Sequence, residues 1–146
     1  MYEYVQEMKG HYLTNTGPLS KVAFDSKLQA ASHALGTLTR IARVQGARLK
    51  AKHEIRVAAA FKTMPLAFLR MIVVHELAHT RHQEHDKAFY QLCRHMEPDY
   101  HQLEFDLRVC LAYSETTGQT LWEGAAINQL PGAAESPHQE AAHIRP

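Results

Sequence analysis

Apolar residues recur at helical spacing in four stretches of the chain, and residues that start or stop helices bound each stretch. The first stretch carries Tyr4, Val5, Met8 and Tyr12 on one face. The pattern predicts four helices. The first lies near residues 2–13, and the second runs from a Thr63 cap and Pro65 to about residue 82. The third runs from an Asp86 cap to a stop at Pro98, and the fourth runs from Asp99 until the pattern fades at Thr116.

The second predicted helix has the clearest apolar face, made of Leu66, Leu69, Val73 and Leu77. The fourth begins with Asp99 followed three residues later by a glutamine, which resembles a capping box. Both features favour helices packed on a common core.

The chain between the first two helices favours strands. Lys21–Phe24 is a short strand candidate, and polar and apolar residues alternate over residues 53–58, as in a half-buried strand. Residues 26–45 are ambiguous, because they combine a helical periodicity with many β-branched residues over 37–44. A turn is expected at Gly46 and Ala47.

Charge and composition exclude several classes of protein. The chain has 146 residues, with 16 Lys and Arg against 15 Asp and Glu, and its net charge of +1 gives no electrostatic signal for nucleic acid or an anionic membrane. The longest apolar run, Val57–Phe61, is far shorter than the ~20 residues of a membrane-spanning helix. The N-terminus carries no secretory signal. We therefore expect a soluble, cytoplasmic protein that does not contact a membrane.

Two cysteines fit neither a disulfide framework nor a four-cysteine zinc site. Cys93 and Cys110 both fall at apolar positions of helical patterns, so we expect buried free thiols. The length suits one domain over residues 1–115. Residues 116–146 are expected to form a partly disordered tail, since its last sixteen residues hold three prolines and no periodicity.

Eleven histidines stand out, and one pair of them carries the chemistry. His75 and His79 enclose the pattern His-Glu-x-x-His inside the second predicted helix. The two are one turn apart on one face, so both imidazoles can reach one zinc ion at ~2.0–2.1 Å. Glu76 projects at a neighbouring angle, where it can take a proton from a water molecule at the metal.

A catalytic zinc needs a third protein ligand, and His82, His85 and His95 are the candidates. His82 lies seven residues after His75, and a continuous helix would rise ~10.5 Å over that distance, too far for three rings to converge. His85 precedes the Asp86 cap, where the chain is expected to bend. We therefore assign His85 as the third ligand and interpret His82 as a solvated helix-end residue.

These residues resemble a known family. The block Val73–His79, followed by His85, Phe89 and Met96–Tyr100, is similar to the YgjP-like (WLM-related) zinc metallopeptidase domain family over about residues 54–107. The resemblance implies an α+β, zincin-like fold. In it a small, mostly antiparallel sheet packs on the active-site helix, and further C-terminal helices follow. It also makes residues 37–45 and 53–60 strands of that sheet.

The same resemblance implies Zn²⁺ on His75, His79 and His85, with Glu76 as the catalytic residue. Three functions are compatible with it. The first is a metallopeptidase in which Glu76 passes a water proton to the leaving amine. The second is hydrolysis of a non-peptide substrate such as a nucleoside triphosphate, for which the basic residues within 40–56 form the only cluster. The third is a non-enzymatic zinc-binding interaction module.

The expected partner is thus a peptide or small-molecule substrate, and the oligomeric state stays open. A nucleic-acid repair protease of the SprT-like kind shares the motif spacing, but the near-neutral charge argues against it. A peptidase also needs a strand edge beside its cleft, for which residues 53–60 are a candidate.

Supporting groups for the reaction can be named by residue type alone. An oxyanion donor is expected among Tyr90, His95, Tyr100 and His101. Hydrogen-bond partners of the ligand imidazoles are expected among Glu84, Glu97, Asp99 and Glu104, or among backbone carbonyls.

Overall fold

A computed structural model describes residues 1–28 and 35–122. Four helices and three strands follow one another in the order helix, three strands, three helices. They are α1 (Tyr2–Tyr12), β1 (Leu19–Asp25), β2 (Gly36–Gln45), β3 (Arg48–Ala58), a short 3-10 turn (Ala59–Lys62), α2 (Leu66–Ala78), α3 (Lys87–Met96) and α4 (Tyr100–Thr117). The α+β class is confirmed. The helical alternative for residues 29–34 and nearly all of the expected tail lie outside the described residues.

The sheet is mixed, with strand order β1-β3-β2. β2 and β3 form a long antiparallel hairpin, while the shorter β1 pairs in parallel with β3. The hairpin turn requires a glycine, because Gly46 has φ = +64°. β3 is central, so the prediction that residues 53–60 supply a free strand edge is wrong. Among the described strands, β1 and β2 form the two edges of the sheet.

Helix α2 lies at the centre of the core. Its apolar residues are buried on almost every side, Leu69, Val73 and Leu77 being fully enclosed. One face of the hairpin, including Ile55 and Val57, is buried in the same cluster. Burying each side chain of this size stabilises the fold by about 1.5–3 kcal/mol relative to exposure. The helix is therefore a rigid base for any group it carries.

The helix ends show which caps form. Asp86 caps α3 as predicted, since its Oδ1 accepts from the backbone N–H of Phe89 at 2.9 Å. Thr63 does not cap α2, because its hydroxyl donates to Ala60 O and the helix begins after Pro65. Asp99 stands at the N-cap of α4 without a side-chain cap bond, so no capping box forms.

Helix α2 stops at Ala78, four residues earlier than the periodicity predicts. The Thr80 hydroxyl donates to Leu77 O at 2.6 Å, and the N–H of His82 donates to Ala78 O at 3.0 Å. These bonds satisfy the last carbonyls and turn the chain toward α3. The early stop brings residue 85 back over the end of the helix.

Two further findings concern membrane-spanning helices and the two cysteines. None of the helices in the described ranges is both long and apolar enough to cross a membrane. Both cysteines are free, Cys93 fully buried and Cys110 half-buried.

Candidate metal centre

Three imidazoles converge at the C-terminal end of α2. The Nε2 atom of His75 lies 3.2 Å from that of His79 and 3.2 Å from that of His85, and the last two are 3.0 Å apart. Three nitrogens each ~2.0–2.1 Å from a tetrahedral zinc ion would be about 3.3 Å from one another. The donor set therefore fits a zinc-sized ion, and these three side chains could hold a metal.

The other ring nitrogens are held by neighbours that fix which nitrogen faces the metal position. His75 Nδ1 lies 2.7 Å from the Tyr100 hydroxyl, and His79 Nδ1 lies 2.9 Å from the carbonyl oxygen of His82. With Nε2 turned to a metal, each Nδ1 carries the proton and donates it to that oxygen. Hydrogen bonds within the protein thus orient the rings of His75 and His79.

Tyr100 has a different place from the one expected of an oxyanion donor. It is fully buried behind His75 at the first turn of α4, where its hydroxyl can orient the His75 ring. Sequence reasoning proposed a carboxylate or a carbonyl for that task, and His79 does meet the carbonyl oxygen of His82. Two of the candidate carboxylates are engaged elsewhere, Glu97 with Arg70 and Glu104 with Arg108.

The two rejected candidates for the third ligand lie outside the cluster. His82 is half-buried and contributes its backbone carbonyl to the site, but its ring is not among the converging donors. His95 packs its ring edge-on against Tyr12, with ring centroids 5.5 Å apart. Only His85 among the three candidates sits where the turn after α2 reaches the triad.

An aromatic ring supports all three imidazoles from below. The buried Phe89 ring lies 5.0, 4.7 and 4.8 Å, centroid to centroid, from the rings of His75, His79 and His85. Because the Asp86 cap fixes the first turn of α3, it also fixes the position of Phe89. This apolar floor excludes water from one side of the site.

Burial favours the neutral forms of His75 and Glu76. Desolvation, and next to it the neighbouring His79 and His85, lower the pKa of His75 to about 4. Burial raises the pKa of Glu76 to about 8. A neutral imidazole is the form that binds metal, and a cation held by the triad would favour the ionised form of the adjacent carboxyl.

Glu76 is enclosed by the start of strand β2. It is 4% exposed, and a Cβ atom placed on Gly36 would lie 2.6 Å from its Oε1 and 2.9 Å from its Cγ. Only glycine leaves room for the carboxylate there. This contact joins residues forty positions apart, and nothing in the local sequence pattern pointed to it.

Two cavities open on the centre, and both are lined by Gly36, His75, Glu76 and His85. The one between α2 and α4, which we call the apolar cleft, has a volume of about 570 Å³. Its remaining lining residues are Leu35, Met71, Ile72, Tyr90, Tyr100, Glu104, Leu107, Arg108, Leu111, Ala112 and Glu115.

The other cavity, which we call the polar groove, lies between β2 and the turn that joins α2 to α3. Its remaining lining residues are Thr37, Leu38, Arg40, His53, His79, Thr80, Arg81, His82, Gln83, Glu84 and Asp86. The centre therefore sits where an apolar and a polar cavity meet.

Comparison with protein families matches residues 36–109 to the YgjP-like, metallopeptidase domain. The chain belongs to this family. The matched segment begins at Gly36, which touches Glu76, and includes the whole triad and Tyr100. The resemblance found in the sequence is thus confirmed, and it extends further toward the N-terminus than residue 54.

One similar protein is the UTP pyrophosphatase of Escherichia coli (strain K12), which is 57% identical over 111 residues. The similarity covers 76% of this chain and 66% of that protein, so the chain spans slightly less than two thirds of its relative. No solved structure matches the chain. The chain thus carries a domain of a hydrolase family whose characteristic residues meet in one centre.

Proposed function

We propose that the protein is a zinc-dependent hydrolase that cleaves nucleoside triphosphates to a nucleoside monophosphate and pyrophosphate. The observation that carries the proposal is the convergence of three imidazole Nε2 atoms, within 3.2 Å of one another, beside the buried Glu76. The substrate class is supported by the name of the 57% identical relative and by two guanidiniums, Arg40 and Arg81, in the polar groove.

Zinc is the metal that this donor set favours. Three imidazoles without a thiolate form the ligand set of catalytic zinc, which keeps a fourth position open. When bound, the metal supplies Lewis acidity and lowers the pKa of a water molecule in that position toward ~7. The roles of His75, His79 and His85 are to hold the ion, each through Nε2.

Glu76 acts as the general base. Its buried carboxylate takes one proton from the attacking water, whose oxygen forms a bond to the α-phosphorus. The bond from that phosphorus to the bridging oxygen breaks, and its electron pair leaves with pyrophosphate. Gly36 at the start of β2 packs against Glu76 and leaves just enough room for its carboxylate, since any larger residue would displace it.

Peptide hydrolysis is the second candidate, and the exposed edge of β2 favours it. Among the described strands β2 pairs only with β3, and its first residue, Gly36, lies against Glu76. An extended peptide adds to such an edge through backbone hydrogen bonds. The same centre would then act on a peptide carbonyl, with Glu76 returning its proton to the leaving amine.

A purely structural zinc module is less consistent with the geometry. Structural zinc sites close with four protein ligands. In the part of the chain that the structure describes, three side chains converge, and a carboxyl group is buried next to them at a cost in desolvation. That arrangement suits a site that does chemistry.

The test uses zinc-loaded protein incubated separately with UTP, the other nucleoside triphosphates and a peptide library. We expect UTP to yield UMP and pyrophosphate, identified by ³¹P NMR. Glu76→Gln should keep its zinc by elemental analysis and lose about 10²–10⁴-fold in rate. The matched control, Glu7→Gln on the exposed face of α1, should behave as wild type.

Cleavage of peptides with intact UTP would favour the second candidate instead. Full activity in Glu76→Gln would show that the assigned base is wrong. Absence of turnover on every substrate, with zinc bound, would contradict the hydrolase proposal.

A further inference from the structure

The two cavities that meet at the metal centre differ in chemistry. The apolar cleft is walled mainly by aliphatic and aromatic side chains of α2, α3 and α4, whereas the polar groove is walled mainly by charged and polar side chains. Because both are lined by His75, Glu76 and His85, one substrate can occupy both with its scissile bond at the centre. Such a substrate has an anionic end and an end with a large flat surface.

The polar groove offers cations with no competing partner. The exposed guanidiniums of Arg40 and Arg81 form no ion pair with any described residue. Arg40 lies on β2 directly opposite His53 of β3, on the hairpin face that also carries the buried Ile55. A guanidinium presents forked donors that match phosphate oxygens, and both arginines open on the same groove as the triad.

A buried histidine also lines the groove. His53 is 4% exposed, and its Nδ1 has no hydrogen-bond partner among the described residues. The ring is wedged against Gly17, where an added Cβ would lie 3.1 Å from Cε1 and 3.2 Å from Nδ1. Its Nδ1 is therefore enclosed beside Gly17, which is not among the lining residues of the groove.

The groove also contains three carboxyl groups, those of Glu76, Glu84 and Asp86, and one of them is engaged. Asp86 caps α3 through the N–H of Phe89. Glu84 is exposed on the turn. The two arginines and a divalent metal therefore outweigh the acidic side chains of the groove, as an anionic ligand requires.

The apolar cleft suits a nucleobase. Ile72 and Leu107 form part of its wall, and the half-buried ring of Tyr90 lies 6.4 Å from the His85 ring, centroid to centroid. The Glu104–Arg108 pair, 2.8 Å apart, lines the same cleft with hydrogen-bonding groups. Aromatic and aliphatic walls with a few polar groups are typical of sites that bind flat heterocycles.

We infer that a nucleoside triphosphate lies across the centre in one direction, with its base in the apolar cleft and its β- and γ-phosphates in the polar groove on Arg40 and Arg81. The inference rests on the proposed function. Attack at the α-phosphorus then releases pyrophosphate into the groove and leaves the monophosphate in the cleft. Arg40 and Arg81 are binding residues for the leaving group.

The experiment measures product inhibition, with pyrophosphate and UMP as separate probes of the two cavities. The groove variant is the double substitution Arg40→Gln with Arg81→Gln. The cleft variant is Ala112→Trp, which fills the cleft from an exposed position of α4 without removing a contact. Matched controls are Lys52→Gln, an exposed position of the same hairpin outside both cavities, and Val109→Trp, on α4 but outside the cleft.

We expect the groove variant to weaken inhibition by pyrophosphate at least tenfold and to leave inhibition by UMP within twofold of wild type. The cleft variant should show the opposite pattern, and both controls should match wild type. Calorimetric titration of metal-free protein with pyrophosphate should show the same loss in the groove variant. This readout does not depend on turnover.

Two results would overturn the orientation while leaving the proposed function intact. One is an exchanged pattern, in which the groove variant weakens inhibition by UMP and not inhibition by pyrophosphate. The other is turnover of UTP with unchanged pyrophosphate inhibition in the groove variant. If UTP is not hydrolysed at all, the proposed function fails. In that case, loss of pyrophosphate binding in the groove variant would still establish the anion subsite. Unaltered pyrophosphate binding in that variant would refute both the subsite and the proposed function.

Discussion

The two walls of the metal centre are built in different ways. One wall, which holds the three histidines, comes from a single stretch, residues 75–89, and is packed around the buried Phe89. The opposite wall joins Gly36 at the start of β2 to side chains of α4, which are distant in sequence. The comparison teaches that the candidate metal ligands lie within one local stretch of the sequence, while the shape of the cavities beside them depends on long-range packing.

The largest effect is expected within the wall formed by residues 75–89, which we call the local wall. His85→Ala should lower zinc affinity more than about 100-fold, because loss of a ligand exceeds the 10–100-fold cost of changing an outer partner. His82→Ala should stay within twofold of wild type, since His82 contributes its backbone carbonyl and not its ring. Zinc titration against a chelating indicator measures both.

Equal zinc affinity in His85→Ala and wild type would show that the third ligand is another residue. A loss in His82→Ala as large as in His85→Ala would show that the ring, and not the carbonyl, matters at position 82.

The next effect should arise at the point where the two walls touch. Gly36→Ala places a methyl group 2.6 Å from Oε1 of Glu76, so the carboxylate must move. A displacement of this size should lower kcat about 100-fold with zinc content unchanged. The control Gly10→Ala, on α1 with open space around its Cα, should keep full activity.

Unaltered kcat in Gly36→Ala would show that Glu76 does not need its observed position. Loss of zinc in the same variant would show that the two walls are not separable.

A smaller effect is expected at the hydrogen bond that joins α4 to the local wall. Tyr100→Phe removes the hydroxyl that lies 2.7 Å from His75 Nδ1, and should weaken zinc binding about tenfold without unfolding the protein. Tyr113→Phe, on the exposed part of the same helix, is the matched control. Competition between zinc chelators, together with circular dichroism, would check it. Identical affinity in both variants would mean that Tyr100 only fills space.

The smallest effect concerns thiol chemistry and leaves activity untouched. Burial raises the pKa of Cys93 to about 12, and burial also raises the pKa of the less enclosed Cys110. Because only the thiolate reacts, Cys93 should stay unlabelled at pH 8 while Cys110 reacts slowly, and both should react at once in denaturant. Thiol counting with a chromogenic disulfide measures this. Equally fast labelling of both in native protein would show that helix α3 opens readily.

Helix spacing explains why so much of the centre follows from sequence. The four-residue interval between His75 and His79, and the Asp86 cap just after His85, are local features that any fold must respect. The four described helices appear where the patterns predict them, apart from shifts of a few residues at their ends, whereas the first strand of the hairpin was expected only from the family resemblance. The roles of Glu76 and the triad stay predictions until metal and activity are measured.

Strand order and the neighbours of side chains across the sheet could not be predicted from local sequence patterns. Alternation in residues 53–58 marks a strand but does not say whether it lies at the centre or the edge, and the structure places it at the centre. Tyr100 was named by type for another task, because a tyrosine that orients a histidine has no distinguishing local pattern.

The sequence by itself determined the four helices, the family and the three histidines expected to converge, since these depend on intervals of a few residues along one chain. The strand over residues 37–45 followed only from the family resemblance. Only the tertiary structure decided that β2 borders the centre, that Gly36 encloses Glu76, and that an apolar and a polar cavity meet there. These features depend on how distant segments pack together. That packing is set by the whole core and not by any short stretch.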